Sequence, residues 1–381
     1  MNFITLLLGL LAFAAFAQEI TPTIRIQQSL DFSDDLDFEH LEQAVERQLA
    51  FYARSPLKGD IRFGTKIYPK TVLKDSLVLM MDLSKKYKEC LKEQSAVQCQ
   101  SDLNRSLNEL FAVYAPVPGK NEPGFSQPAT TKFTSYYSPD FNGSRQKTER
   151  FSRAIYRKPQ RSEDQNHARV DIDYYGALSG KDLEVFWVEE SFFDLYLLHV
   201  QGGGRIKVHN LDGSSEIKYL SYDGKNSLKF QMIYKYMLEK GYLKAGEAGV
   251  PNQRKFLQEN PDKEEEIFST TPSYVYFKES EQEPVGLNNI PLTEMRSLAF
   301  DSRIYKTTGL ITFVKAVKVS HLDSQERAVK VPFSRFFIAQ DTGGAIRGNA
   351  RSDLYFGYGP QAELTAYNLN DMGEQYFLIK K

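Results

Sequence analysis

Phe336-Phe337-Ile338-Ala339-Gln340-Asp341-Thr342-Gly343-Gly344-Ala345-Ile346-Arg347-Gly348, continued by Asn349-Ala350-Arg351-Ser352-Asp353-Leu354-Tyr355-Phe356-Gly357, decides how this chain is read. An apolar strand delivers Asp341 into a glycine-rich turn, and Asp353 follows where the next apolar strand begins. Two carboxylates at strand ends fit acid/base chemistry, because burial raises a carboxyl pKa and a neighbouring like charge raises it further. Alone, Asp341-Thr342-Gly343-Gly344 also fits a plain Asx-type turn in which the glycines supply positive φ. Asp353 and the flanking strands favour function.

Outward from this segment, runs rich in Val, Ile, Tyr and Phe alternate with turn residues. They predict strands over 133–137, 169–175, 183–188, 196–201, 205–209, 274–277, 311–319, 336–339, 353–356 and 375–379. One helix is predicted from Ser227, with the face Phe230, Ile233, Tyr234, Met237 and Leu238 and a stop at Gly241. Before residue 115 the apolar period is helical, predicting helices over 36–54, with Ser33 or Asp37 as cap, 71–92 and 102–114. Residues 115–129, with four prolines and two glycines, read as a connection.

Several of these segments together resemble the membrane-bound lytic murein transglycosylase A family and its three-aspartate barrel domain. The resemblance rests on Asp341-Thr-Gly-Gly-Ala-Ile-Arg-Gly, Asp353-Leu-Tyr-Phe-Gly and Asp301 within Ala299-Phe300-Asp301-Ser302-Arg303. Ser135-Tyr136-Tyr137-Ser138-Pro139, His199-Val200-Gln201-Gly202-Gly203-Gly204-Arg205, Pro272-Ser273-Tyr274-Val275-Tyr276-Phe277 and Ala366-Tyr367-Asn368 are similar to further family segments. The matches cover about residues 130–381. Ser135, Ser221-Tyr222-Asp223-Gly224 and Thr307-Thr308-Gly309 depart from the family pattern, which touches subsite detail rather than reaction class.

The resemblance implies a mainly β fold with N-terminal helices: a double-psi β-barrel domain from 18–138 and 271–381, and a second β domain inserted over 139–270, with a glycan groove between them. It implies non-hydrolytic cleavage of the β-1,4 bond between N-acetylmuramic acid and N-acetylglucosamine, leaving a 1,6-anhydromuramic end. Asp353 would act as acid and then base, with Asp341 and Asp301 as supporting carboxylates. Tyr136, Tyr137, Gln201, Gly202, Gly343, Gly344, Arg351 and Tyr355 are the expected glycan contacts. The muramic C6 hydroxyl is the nucleophile, so one carboxyl suffices where hydrolytic glycosidases use two. That carboxyl must keep its proton near neutral pH, so its pKa must rise from about 4. Repulsion from Asp341 or Asp301 would help, and Arg347 and Arg351 are expected to face glycan or solvent, or to pair with Asp341.

Composition bounds the alternatives. In 381 residues, 41% hydrophobic, 25% charged and 13% aromatic describe a globular chain of two or three domains, not a disordered or multi-spanning one. Forty-eight Lys and Arg balance 49 Asp and Glu, so no summed positive field exists to hold nucleic acid. The 22 Tyr and 26 Phe against one Trp fit sheet-rich domains with flat apolar surfaces for sugar rings. The five histidines lack ligand spacing, and neither metal nor cofactor is expected. Asp-Thr-Gly also occurs in aspartic proteases, but a single-chain protease of that type needs two copies and this chain has one. A non-catalytic wall-binding protein is the other alternative. The apolar run 4–16 ending in Ala15-Phe16-Ala17 reads as a leader over 1–17, without a following Cys for lipid attachment. The expected product is an exported monomer, periplasmic or secreted, without a stable membrane anchor, whose partner is the peptidoglycan glycan strand. Cys90 and Cys99 would pair as a local bridge in that oxidising compartment.

Overall fold

The computed structural model describes residues 22–325, 327–344 and 346–381, so the leader read at 1–17 lies outside the described residues. The fold is mainly β with N-terminal helices, as expected. Six strands close a barrel: β1 (Thr130–Tyr136), β2 (Ser297–Phe300), β3 (Ile311–Leu322), β4 (Ala328–Thr342), β5 (Arg351–Tyr355) and β6 (Asn370–Lys380). Their order is β6-β3-β4-β2-β5-β1, with β1 returning to β6. The β4–β2 and β5–β1 pairs are parallel and the others antiparallel. Closure falls to β6, whose first half pairs with β1 (Asn370 opposite Thr134) and whose second half pairs with β3 (Leu378 opposite Ile311). Phe133, Leu298, Phe313, Phe336, Ile338, Leu354 and Leu378 belong to its core, each fully buried. A barrel without free edges leaves no unpaired ladder to aggregate.

Helices α1 (Leu41–Arg54), α2 (Thr71–Glu93) and α3 (Ala96–Leu110) share that core. The Cys90 and Cys99 sulfurs are bonded, tying α2 to α3. Three ends differ from the periodicity. The third helix starts at Ala96 rather than 102, with Ser95 capping it by accepting from the Gln98 N–H. The first helix starts at Leu41 rather than 36, because the buried Asp34 carboxylate accepts from the backbone N–H groups of Leu36, Phe38 and Phe336 and from the buried Arg296 guanidinium at 2.6 and 2.8 Å. That network holds 34–40 in turns, a tertiary demand that overrides helix propensity. The third helix ends at Leu110, and Phe111–Pro116 straightens into a strand beside β6.

The chain between β1 and β2 builds a six-stranded sheet in the order Val275–Ser280, Ser215–Lys225, Gly203–His209, Asp140–Ser144, Glu184–Val188, Arg153–Tyr156. Here the sequence reading needs correction. The stretch 196–201, read as a strand, lies in the helix Phe192–Gln201, and 169–175 holds the helix Arg169–Asp173. Phe193, Leu195, Tyr196, Leu197, Leu198 and His199 are all buried, so the helix is wrapped on most sides and shows no amphipathic period. Its signal was the capping box: Ser191 accepts from the Asp194 N–H while Asp194 accepts from the Ser191 N–H. Strand Ser215–Lys225 and helix Gly359–Asn368 were not predicted, and the helix expected from Ser227 starts at Ile233.

Candidate active site

The carboxylates meet through strand register. Ala299 of β2 stands opposite Asp353 of β5 on one side and Asp341 of β4 on the other, and Asp353 stands opposite Thr134 of β1. Opposed residues on neighbouring strands share a face, so Thr134, Asp353, Ala299 and Asp341 form one row across four strands. A bulge makes this possible. Leu298 pairs with Ala339 and Ala299 with Asp341, leaving Gln340 as the extra residue. Without it Asp341 would stand opposite Phe300 and face the other way. Gln340 is fully buried and pinned there, accepting from Ser297 Oγ at 2.7 Å and donating to the Ala44 carbonyl at 2.9 Å.

Asp353 accepts one hydrogen bond, from Thr134 Oγ1 at 2.8 Å. Removal from water pushes its carboxyl up to about 6, with the Asp341 charge adding to the rise and the Thr134 bond and Arg351 charge opposing it. The expectation for Arg351 is corrected: its guanidinium turns onto Thr134 Oγ1 at 3.1 Å, on the Asp353 side, rather than toward Asp341. The threonine hydroxyl stands between cation and carboxylate, and Asp353 forms no ion pair among the described residues. Arg347 is exposed and bonds the carbonyls of Gly343 and Ile346.

Asp341 is also raised by burial, against bonds from the Tyr136 hydroxyl at 2.7 Å, the Thr342 N–H at 2.8 Å and the Leu287 N–H. The last comes from a strap over 283–292 that crosses the end of β4. Its Gly286 runs so close to the barrel that a Cβ there would lie 2.6 Å from the Gln340 carbonyl and 3.0 Å from Asp341 Cβ. Arg47 of α1 ties the strap down by donating to the Leu292 carbonyl and pairing with Glu283.

Asp301 stands apart from the row. Its buried carboxylate is paired with Arg303 at 2.6 Å, caps the short helix Ser302–Tyr305 and accepts from the Gly348 N–H at 3.0 Å. Those partners, the Arg303 hydrogen bond first, hold it down at about 2. It is a fixed anion tying the loop before β5 to the end of β2, and Asp353's rise comes from burial and Asp341 without it. The expectation that Asp301 adds repulsion is thereby corrected.

A groove of about 680 Å³ opens beside the row, between barrel and insert. Asp341, Tyr136 and Tyr137 line it from the barrel, Gln201 and Gly202 from the insert. Gly202 ends the helix Phe192–Gln201 in the left-handed conformation, φ 78°, that glycine adopts without strain. Asp353 lies outside this lining, two strands from Asp341 past Ala299. Tyr355 departs from its expected place: it is 1% exposed, packs on Tyr136 at 5.1 Å and bonds Ser138 Oγ, so it supports the site from behind. Tyr137 is 6% exposed and shares a hydrogen bond with Tyr367. Gly343 and Gly344 form the turn after β4 outside the groove lining. The strap, Arg54 and Lys278 line the groove and were not singled out in the sequence, whereas Tyr222, which also lines it, belongs to the 221–224 stretch that departs from the family pattern; the turn residues Pro284 and Gly286 were the available hint of a strap.

Comparison with known proteins agrees with this fold. The family described as "MltA specific insert domain" matches residues 132–278, and the "3D domain" family matches 296–378. The membrane-bound lytic murein transglycosylase A of Vibrio cholerae is 30% identical over 249 residues, 65% of this chain and 64% of its own length. That of Escherichia coli K12 is 30% identical over 250 residues, 65% of each chain. The match thus spans slightly under two thirds of either relative. Among solved structures, Escherichia coli MltA with bound chitohexaose superposes with a TM-score of 0.66 at 21% identity, covering 95% of both chains. The lytic transglycosylase LtgG of Burkholderia pseudomallei gives 0.59 at 24% identity, covering 95% of this chain and 98% of that one. In its insert, its barrel and its relatives the chain is similar to the membrane-bound lytic murein transglycosylase A family.

Proposed function

We propose that the protein is a peptidoglycan lytic transglycosylase that cleaves the β-1,4 bond between N-acetylmuramic acid and N-acetylglucosamine without water. The observation that carries this reading is Asp353: a carboxyl raised to about 6, free of any ion pair among the described residues and in one row with Asp341, which lines a groove. A bound glycan strand displaces more water and raises it further, so that it enters the reaction protonated. Asp353 gives its proton to the glycosidic oxygen as the C1–O bond breaks, and N-acetylglucosamine leaves as an alcohol. The resulting carboxylate takes the proton of the muramic C6 hydroxyl as that oxygen closes on C1. The acid is restored and no water is consumed, consistent with a single working carboxyl. Asp341 keeps the proton on Asp353 by its charge, and Asp301 acts by holding the loop before β5.

Gln201, Gly202 and Tyr136 flank the path of the strand, and the oligosaccharide held by the Escherichia coli relative supports a glycan in this groove. We place the protein outside the cytoplasm on the strength of the 1–17 leader, and no described helix is long and apolar enough to cross a membrane. The test is digestion of purified murein by the full chain followed by mass analysis. Products lighter by one water than hydrolytic muropeptides are expected. Hydrolytic products, or no release by a folded protein that still binds murein, would overturn the assignment.

A further inference from the structure

The tyrosines that line the groove differ in what they show to it. Tyr137 is almost wholly buried and Tyr136 spends its hydroxyl on Asp341, whereas Tyr222, on the insert wall, is 53% exposed. Neither its ring nor its hydroxyl has a partner among the described residues. Strand alternation puts Tyr222 on the face of the buried Leu220, opposite the buried Phe277, where a side chain is ordinarily covered. The neighbouring strand leaves it bare. That strand sets Gly203 opposite Ser221, and Gly202 stands just before it, where an added Cβ would meet no atom within 4 Å. A bulge fixes the ring's position: Asp223 is the extra residue between the pairs Tyr222–Phe277 and Gly224–Tyr276, and its carboxylate accepts from the Lys158 N–H at 3.0 Å.

We infer that the Tyr222 ring is a platform on which one N-acetylated sugar of the glycan strand lies, and that it serves binding rather than turnover. The inference rests on the reading of this groove as a glycan site. A β-1,4-linked pyranose offers a flat face of axial C–H groups, and a tyrosine matches it with a large apolar surface, few torsions to fix and a polar tip left for water or an acetamido group. The glycines beside the ring leave room for the sugar that larger side chains would fill. Tyr175 is more exposed, at 68%, but it lies outside the groove lining and its hydroxyl is held by Glu265.

The test uses the full chain, the variants Tyr222→Ala, Tyr222→Phe and Tyr222→Trp, and Tyr175→Ala as the control. Chitohexaose binding is measured by calorimetry, and murein cleavage gives KM and kcat. Tyr222→Ala is expected to weaken chitohexaose binding and to raise KM about three- to tenfold, the range for an aromatic stacking contact, with kcat unchanged. Tyr222→Phe keeps the ring and should retain both constants, and the control should change neither. Tyr222→Trp adds an indole to a chain that has one tryptophan, and the added emission should move to shorter wavelength as chitohexaose covers it. An Ala variant that binds as tightly as the wild type, a Phe variant as weak as the Ala variant, a fall in kcat at unchanged KM, or emission indifferent to bound sugar would overturn the inference. So would a wild type that does not bind chitohexaose. If no anhydro product forms at all, binding lost in the Ala variant and kept in the Phe variant still upholds the platform. Anhydro products formed by the Ala variant at wild-type KM remove the platform and leave the proposed reaction standing.

Discussion

Replacing Asp341 by Asn removes one charge from the row while keeping the side chain's shape, and its effect can be worked from the register. Asp341 and Asp353 are separated by two strand spacings across Ala299, about 10 Å at roughly 4.8 Å each. At an effective dielectric of about 20, two charges at that distance repel by about 1.7 kcal/mol, which corresponds to about one pH unit in the Asp353 titration. The carboxyl should then move from about 6 toward 5, still raised because burial is the larger cause. A general acid works only while protonated, so kcat/KM falls as pH rises through its pKa. In the Asn variant this descending limb should move down by about one pH unit, with a loss of about tenfold at pH 7 and little change near pH 4.5. The assay is release of anhydro-ended products from pH 4 to 8, with bound fraction measured in parallel. A limb that stays in place while the rate drops equally at every pH would mean that Asp341 acts by touching the glycan. Movement to higher pH would refute the electrostatic argument outright.

Asp353→Asn should lose about a thousandfold in turnover, within the range for a missing general acid. Because the folded pKa of about 6 lies above the unfolded one, the contribution of Asp353 to stability is fullest below about pH 4 and is lost as pH rises through 6. The Asn variant should therefore be more stable at pH 7, by at most about 2–3 kcal/mol, with no gain near pH 3.5 in urea titrations. Asp301, depressed to about 2, behaves oppositely: its stabilisation is present above about pH 4 and lost as pH falls through 2. Asp301→Asn should cost about 1–3 kcal/mol at pH 7 by freeing Arg303 and the Gly348 N–H, and the gap to wild type should close in acid. Removing the disulfide with Cys90→Ser/Cys99→Ser should cost about 2–3 kcal/mol, because a bridge spanning 9 positions restrains only a short loop of the unfolded chain. Calorimetry of the oxidised and double-Ser proteins checks this, and murein cleavage at 25 °C should be unaffected.

Much of the barrel was legible because its strands carry β-branched and aromatic runs long enough to outweigh local ambiguity, as in 311–319 and 336–339. The carboxylates were legible as strand-end residues, but their row was not. It depends on the Gln340 bulge, and nothing in Ala339-Gln340-Asp341 says that one residue will be skipped when β4 pairs with β2. Arg296 and Arg335 look like surface cations in the sequence and are fully buried against Asp34 and Asp35, partners some 260 to 300 residues earlier in the chain. Tyr136 and Tyr355 show the limit for aromatic residues. Both sit at strand ends opposite each other in register, yet the Tyr136 hydroxyl reaches Asp341 while Tyr355 is buried with its hydroxyl on Ser138.

The late arrival of β6 orders events in time. An emerging chain can complete the insert's sheet once Ser280 is made, but β1 has no antiparallel partner and β3 lacks one flank until 370–380 follow. Thr134, Asp353, Ala299 and Asp341 are fixed in line only by a ring that shuts with its last segment. Until 370–380 are in place the row has no ring to hold it, and truncation within β6 would dismantle it without touching Asp353, Asp341 or Asp301.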